Sequence, residues 1–316
     1  MAFCFNFSLD DSSDTKEDIS EPLQLANQDA SLKQSTDKKK YDVNCERQAM
    51  WHTFSKEEIS CPQNTEEQFN LVDINGVKLW YLKTLIAEEN VSSSEIAHSL
   101  QSSDLVSHVY EGGLKVWECT LDLLEYMSCQ SSVMTNTKVL DLGCGAGLLG
   151  ISALLHGASH ILFQDYNHEV IECYTKPAVL QTLKKHRLSV DSVSLISGDW
   201  LRVSKLLLDK EMGLKDSSKE NYCKSESAKF DLILSSETIY NTDYYPKLYS
   251  ILYNQLSTNG CALFAAKTHY FGVGGGTLDF TQYLTKKGIF NVEVAHKIDD
   301  GVCREILKVT WLHRIS

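Results

Sequence analysis

Apolar residues recur along this chain in two rhythms, and each change of rhythm marks a change of predicted element. From Lys138 onward, short apolar runs alternate with stretches of helical spacing. Val139-Leu140-Asp141-Leu142 predicts a strand and Leu148 to His156 a helix; Ile161-Leu162-Phe163 predicts a second strand and His168 to Lys185 a second helix. Val193-Ser194-Leu195-Ile196 reads as a third strand, followed by a shorter helix ending near Leu208. Phe230 to Leu234, Tyr244 to Leu256 and Cys261 to Ala266 continue the series as strand, helix, strand. After a helix around Leu278 to Thr285 the alternation stops. Phe290 to Ala295 and Glu305 to Trp311 follow one another as strands, joined by the turn Asp299-Asp300-Gly301. Repeated strand–helix units demand a parallel sheet covered on both faces, and the final pair adds antiparallel strands at one edge. The predicted fold is therefore α/β, a doubly wound Rossmann-like sheet closed by an antiparallel hairpin.

Upstream the pattern weakens. Gly113 to Met127 carries Val116, Leu121, Leu124 and Met127 at helical spacing, and Asn70 to Leu85 reads as a hairpin around Asn75-Gly76. A polar stretch through Ser102 separates the two. Met1 to Asn64 is rich in Ser, Asp, Lys, Gln and Asn without sustained periodicity, so it buries too little apolar surface to offset its chain entropy. Disorder is expected there, with Phe3-Cys4-Phe5 and Trp51-His52-Thr53-Phe54 as short apolar interruptions. Lys38-Lys39-Lys40 reads as a solvated charge run rather than an import signal. The expected organisation is a disordered acidic tail over 1–64, an extension over 65–112 that packs on the core, and a main domain over 113–316 interrupted by a polar insertion at 209–229.

Composition narrows the function. The 316 residues carry 30 Lys and Arg against 42 Asp and Glu, a net charge of −12. That balance argues against direct nucleic-acid binding, which needs basic surface, and suits a basic protein partner. No apolar run reaches the length that crosses a bilayer, and the N-terminus lacks the basic start of a secretory signal, so no membrane role and a soluble intracellular protein are expected. None of the ten cysteines forms a C-x₂₋₄-C pair, and Gly157 interrupts the His156 and His160 pair, so no metal site is expected.

The chemistry points to one turn. Val139 to Gly150 reads VLDLGCGAGLLG, glycines between a strand and a helix at the carboxyl edge of the sheet, where doubly wound folds bind ligands. Gly143 and Gly145 let the backbone approach a ligand, and the helix start that follows favours an anionic group. Two ligands compete. Gly145 to Gly150 fits the dinucleotide fingerprint G-x-G-x-x-G, and Asp165, twenty residues after Gly145, fits its ribose-binding acid. S-adenosylmethionine also carries an adenosine ribose, so Asp165 serves either reading. Asp141 inside the first strand would suit a methionine ammonium, little chain remains for a separate substrate domain, and the terminal hairpin departs from the dinucleotide fold. The segment resembles motif I of the seven-β-strand methyltransferases.

Four further segments resemble the protein-histidine methyltransferases within that superfamily: Tyr110 to Thr120 (YEGGLKVWECT), Phe163 to Asn167 (FQDYN), Ser236 to Asn241 (SETIYN) and His269 to Gly276 (HYFGVGGG). The resemblance implies methyl transfer from S-adenosylmethionine to a histidine ring nitrogen of a large-subunit ribosomal protein, a role in ribosome biogenesis or translation, and residence in cytoplasm and nucleus, the nucleolus included. It implies a cofactor site along Val116, Trp117, Glu118, Cys119 and Thr120, with Asp141, Gly143, Gly145, Gln164, Asp165, Tyr166, Gly198, Asp199, Trp200, Ser235 and Ser236. Within that set, Glu118 and Asp141 suit the ammonium, Asp165 the ribose hydroxyls, and Asp199 the adenine amine. Trp200 offers a stacking face, although Trp117 and Trp200 serve equally well as core.

Histidine asks little of such an enzyme. Its ring is mostly neutral near pH 7, so the site chiefly needs an acceptor on the protonated nitrogen to present the other one. Glu237, Tyr240, Asn241 and His269, with Tyr270, are the candidates for that substrate lip; bracing of the next helix is the competing role for Glu237. Three alternatives stay open: a lysine methyltransferase on the same scaffold, a nicotinamide oxidoreductase, and a cofactor-binding protein without turnover.

Overall fold

A computed structural model describes residues 47–60, 66–91, 96, 108–211 and 229–312. Ten strands are described: β1 (Met50–His52), β2 (Phe69–Ile74), β3 (Val77–Leu82), β4 (Lys138–Leu142), β5 (His160–Asp165), β6 (Val193–Ser197), β7 (Phe230–Ser236), β8 (Leu256–Lys267), β9 (Phe290–Ile298) and β10 (Arg304–Trp311). The helices are α1 (Lys56–Ser60), α2 (Thr84–Val91), α3 (Glu118–Ser128), α4 (Leu148–Leu155), α5, α6 (Trp200–Glu211), α7 (Tyr245–Gln255) and α8 (Thr277–Lys287). α5 begins as His168–Val170, opens into a π turn at Ile171–Thr175 and continues as Lys176–His186.

β2 and β3 form the hairpin expected around Asn75-Gly76, whose φ angles of 51° and 88° are those of a tight primed turn. The other strands form one sheet in the order β1-β6-β5-β4-β7-β8-β10-β9. β4 pairs in parallel with both β5 and β7, so the chain steps one way through β5 and β6 and the other way through β7 and β8. That reversal opens a crevice beyond the carboxyl ends of β4 and β7. The doubly wound sheet and its antiparallel β9–β10 closure agree with the sequence pattern, with an eighth strand, β1, added antiparallel to β6.

The core lies on both faces of the sheet. On one face, Leu123, Leu124 and Met127 of α3, Ile151 of α4 and Val179 of α5 pack with Phe69, Leu79 and Leu82 of the hairpin. On the other, Val203 and Leu207 of α6, Leu248 and Ile251 of α7 and Phe280 of α8 pack against Leu140 and Ile196. The two-residue strand period explains the split along β4: Val139 joins the first cluster, while Leu140 and Leu142 join the second.

Three expectations need correction. Disorder through Asn64 does not hold for residues 47–60, because Met50–His52 gains a full strand partner in β6 that no local periodicity announces. The helix expected from Gly113 starts only at Glu118, since Gly113 to Trp117 run as irregular backbone along the crevice. α6 extends to Glu211, into the stretch assigned to the insertion. The tail at 1–46 with Lys38 to Lys40, the insertion at 212–228, and 97–107 within the polar stretch lie outside the described residues.

Candidate active site

The crevice opens into a cleft that takes in about 830 Å³ of space, the solvent at its mouth included. Its floor is the glycine turn after β4. Gly143 and Gly145 have φ angles of +68° and +49°, and a Cβ on either would meet a neighbour: Thr238 Cγ2 at 2.6 Å from Gly143, the Gly113 carbonyl oxygen at 2.9 Å from Gly145. These two positions therefore exclude a side chain on conformational and steric grounds together. The π turn of α5 contributes here as well: Thr175 donates its hydroxyl to the Gly145 carbonyl at 2.6 Å. No motif in the sequence signals that contact.

The structure divides the sequence-derived residues into those on the cleft wall and those behind it. Val116, Trp117, Thr120, Gly143, Gly145, Asp165, Tyr166, Asp199, Trp200, Ser236, Glu237 and Tyr240 line the cleft. Asp165 accepts from the Gly145 amide at 3.0 Å and the Asn167 amide at 3.2 Å. Burial pushes its carboxyl up to about 6 against the lowering effect of those amides, with the Glu111 charge adding to the rise. Asp199 caps the start of α6, accepting from Leu201 N at 2.9 Å, and forms a buried ion pair with Lys247 at 2.6 Å.

Behind the wall stand Asp141, Gln164, Gly198 and Ser235. Asp141 is fully buried and accepts from Gly150 N at 2.8 Å, so it braces the start of α4 rather than facing an ammonium from the cleft. Burial raises its carboxyl to about 8, and its Oδ1 has no hydrogen-bond partner. Gln164 is a hub: its Oε1 accepts from Gly143 N at 3.3 Å and Trp200 Nε1 at 2.9 Å, while its Nε2 donates to the Gly198 carbonyl at 2.9 Å. Ser235 donates to the Leu142 carbonyl at 2.8 Å. Gln164 on β5 thereby ties the loop after β4 to the loop after β6, and Ser235 on β7 ties to the end of β4.

Four candidates sit off the cleft. Glu118 lies in the first turn of α3, with Arg304 at 4.0 Å. Cys119 is fully buried on the next position, and burial together with the Glu237 charge pushes its thiol well above the ordinary range. Asn241 caps the short turn after β7, accepting from Asp243 N at 2.9 Å. His269 is exposed and stacks edge-on with Phe271.

Sequence reasoning missed part of the wall. Glu111 accepts from the hydroxyls of Tyr240 and Tyr244, the latter at 2.8 Å, and from His108 N at 2.7 Å. His108, Glu111, Lys115, Tyr244 and Lys247 all line the cleft. Glu111 and Lys115 fall within the quoted YEGGLKVWECT segment, which was the available signal; nothing local marks Tyr244 or Lys247.

Glu237 is the most unusual residue of the site. It stands at the end of β7 with a φ of +55°, a strained conformation for a side chain of this size. It is 9% exposed; Tyr270 donates its hydroxyl to Oε2, while Oε1 is buried without an N–H or O–H donor, the buried Cys119 thiol being a weak donor to the carboxylate. The backbone amide of Glu237, donating to the Ala265 carbonyl at 2.9 Å, fixes the strained turn to β8.

Residues 118–198 match the family model of ribosomal protein L11 methyltransferase (PrmA). The histidine protein methyltransferase 1 homolog of Bos taurus is 39% identical over 262 residues, covering 76% of this chain and 67% of its own. The Dictyostelium discoideum homolog is 38% identical over 67% of this chain and 62% of its own; histidine protein methyltransferase 1 of Schizosaccharomyces pombe is 32% identical over 66% and 68%. The chain belongs to the histidine protein methyltransferase family. It spans about two thirds of the length of the bovine relative.

The cofactor of this methyltransferase is S-adenosylmethionine, and the residues present fit it. The glycine turn leaves room for close backbone approach, Asp165 presents a buried carboxyl group on the cleft wall, and Trp200 offers its indole beside Asp199. Among the described residues no three His, Cys, Asp or Glu side chains group as a metal site, and no helix is long and apolar enough to cross a membrane.

Proposed function

We propose that this chain methylates a histidine ring nitrogen in a basic protein, a large-subunit ribosomal protein, in the cytoplasm and nucleus, the nucleolus included, and so acts on ribosome biogenesis or translation. The observation that carries the histidine chemistry is the Glu237 carboxylate on the cleft wall, whose buried Oε1 has no N–H or O–H donor and at most the weak Cys119 thiol beside it. A buried acceptor left unmatched costs stability, so its retention argues for a ligand that supplies the donor. A neutral imidazole supplies one N–H.

When bound, S-adenosylmethionine supplies an electrophilic methyl group. The residues of this chain do the rest by placement. Glu237 Oε1 accepts the ring N–H of the target histidine, which selects the tautomer whose other nitrogen carries a free lone pair. Tyr270 orients the carboxylate, and the Ala265 contact keeps the residue at its strained turn. Asp165 holds the ribose hydroxyls, Asp199 and Trp200 the adenine. Alignment of nucleophile and methyl then provides much of the rate. As the new bond forms the ring becomes cationic, and the N–H on Glu237 becomes more acidic, so the same oxygen favours product formation. The net charge of −12 favours approach of a basic substrate.

The test is methyl transfer from labelled S-adenosylmethionine into a ribosomal-protein extract, with the modified residue read by mass spectrometry. Label on histidine in one large-subunit protein supports the proposal. Label on lysine keeps the cofactor site and overturns the acceptor role of Glu237.

A further inference from the structure

We propose that the segment Arg47–His52 forms the outer wall of the adenosine end of the cofactor site, and that Arg47 is the positioning residue that holds this wall together. The inference rests on the reading of Asp165, Asp199 and Trp200 as the adenosine end.

The segment lies directly against the site. β1 pairs with β6 through Met50 and Ser197, two residues before Asp199. Gly198 has a φ of +126°, and a Cβ there would fall 2.6 Å from the Gln48 carbonyl oxygen and 2.8 Å from Ala49 Cα. The turn that follows β6 is thus moulded to the backbone of the strap. The Asp199 amide donates to the Arg47 carbonyl at 3.0 Å, so the strap also fixes the residue that carries the carboxylate.

Arg47 then reaches beyond β6. Its Nη2 donates to the Val109 carbonyl at 3.2 Å, an oxygen that also accepts from Asn167 Nδ2 at 2.8 Å. Its guanidinium lies 5.5 Å from the Tyr166 ring centroid, and its Nη1 is 3.5 Å from Glu169. Glu169 is buried, and neither of its oxygens has a hydrogen-bond partner; the Arg47 guanidinium supplies the opposing charge, with His168 Nδ1 3.2 Å from Oε2. The Arg47 side chain therefore links the loop that bears His108 and Glu111 to the one that bears Tyr166, while its backbone carbonyl holds Asp199; all four of these residues lie on the cleft wall. A planar, always-charged guanidinium can serve a carbonyl, a carboxylate and an aromatic face at once, which a lysine cannot.

The far end of the strap is pinned separately. His52 is buried, with Nδ1 2.6 Å from Glu172 Oε1 and Nε2 2.8 Å from Ser197 Oγ. Glu172 also accepts from Lys176 at 2.8 Å, and Lys176 lies 2.9 Å from Glu58 of α1. A strand that served only to cover the edge of β6 would need this anchorage. It would not need an arginine whose side chain joins the Val109 carbonyl to Tyr166 and Glu169 across two cleft-wall loops.

The experiment is calorimetric titration of the full chain with S-adenosylhomocysteine, alongside thermal melting. Arg47→Ala is expected to weaken binding about tenfold, as displacement of a supporting wall does, with Arg47→Lys intermediate. Because Arg47→Ala also strands the buried Glu169 carboxylate, the double variant Arg47→Ala/Glu169→Gln is expected to recover the lost melting temperature without recovering affinity. Affinity within twofold of wild type in Arg47→Ala overturns the proposal, and so does affinity that returns together with Tm in the double variant. A wild-type chain that binds no S-adenosylhomocysteine removes the adenosine-site reading, and this inference with it.

Discussion

Asp165 and Glu237 are both buried carboxylates on the wall of one cleft, and the fold treats them differently. Asp165 lies just beyond the middle of the sheet, with its two oxygens accepting backbone amides from the glycine turn and from its own loop. Glu237 follows β7 directly at a positive φ, with one oxygen held by Tyr270 and the other without an N–H or O–H donor. Asp165 is thus partnered by the chain's own backbone, whereas Glu237 sits at a strained turn with one oxygen lacking an N–H or O–H donor. That difference suits a cofactor bound repeatedly in one pose and a protein side chain admitted only in one tautomer.

The sharpest way to break the comparison is Glu237→Ala. Loss of the ring acceptor is expected to slow single-turnover transfer about 100-fold, while the Kd for S-adenosylmethionine in calorimetry stays within about threefold. Equal losses in both would place Glu237 on the cofactor side instead. Asp165→Ala should do the reverse, weakening cofactor binding by about 30-fold through the lost charge-assisted hydrogen bonds; unchanged affinity would remove Asp165 from the ribose site.

The pH dependence sharpens the same contrast with a smaller effect. Asp165 titrates at about 6 in the folded chain, against an ordinary value of 3.8. Its acceptor oxygens are available above that value and are lost as the pH falls through it. Cofactor affinity should therefore drop about tenfold from pH 7 to pH 5, and Asp165→Asn should flatten the profile. For folding the sign is opposite. A raised carboxyl costs the ligand-free fold stability as pH rises from about 4 to about 6, so melting of the free protein should rise over this interval in Asp165→Asn relative to wild type. Tyr270→Phe, which removes one donor from Glu237, is expected to slow transfer about fivefold with unchanged cofactor affinity. Glu118→Ala should be nearly silent, within about twofold for cofactor binding, because its side chain faces Arg304 rather than the cleft.

Legibility in the sequence followed the range of the interactions. The strands from β4 to β8 announced themselves because each carries its apolar run within a few residues. The glycine turn and Asp165 were readable because their spacing is a local consequence of one strand–turn–helix unit. The family resemblance places Gln164, Asp141 and Ser235 in the cofactor site, but in the fold they stand behind the wall, where they brace neighbouring elements. Tyr244, Lys247 and Thr175 had no such signal, since each reaches the site from a helix whose packing is set by distant strands.

By itself the sequence determined the alternation of elements, the position of the ligand-binding turn and the sign of the charge presented to a partner, because periodicity, glycine and net charge act locally or additively. Only the tertiary structure decided that Met50–His52 would join the sheet, that the Arg47 side chain would join two cleft-wall loops, and that Glu237 would keep one oxygen buried without an N–H or O–H donor. Those outcomes depend on which surfaces meet across long stretches of chain. Burial and hydrogen-bond satisfaction are properties of that meeting, and no residue carries them alone.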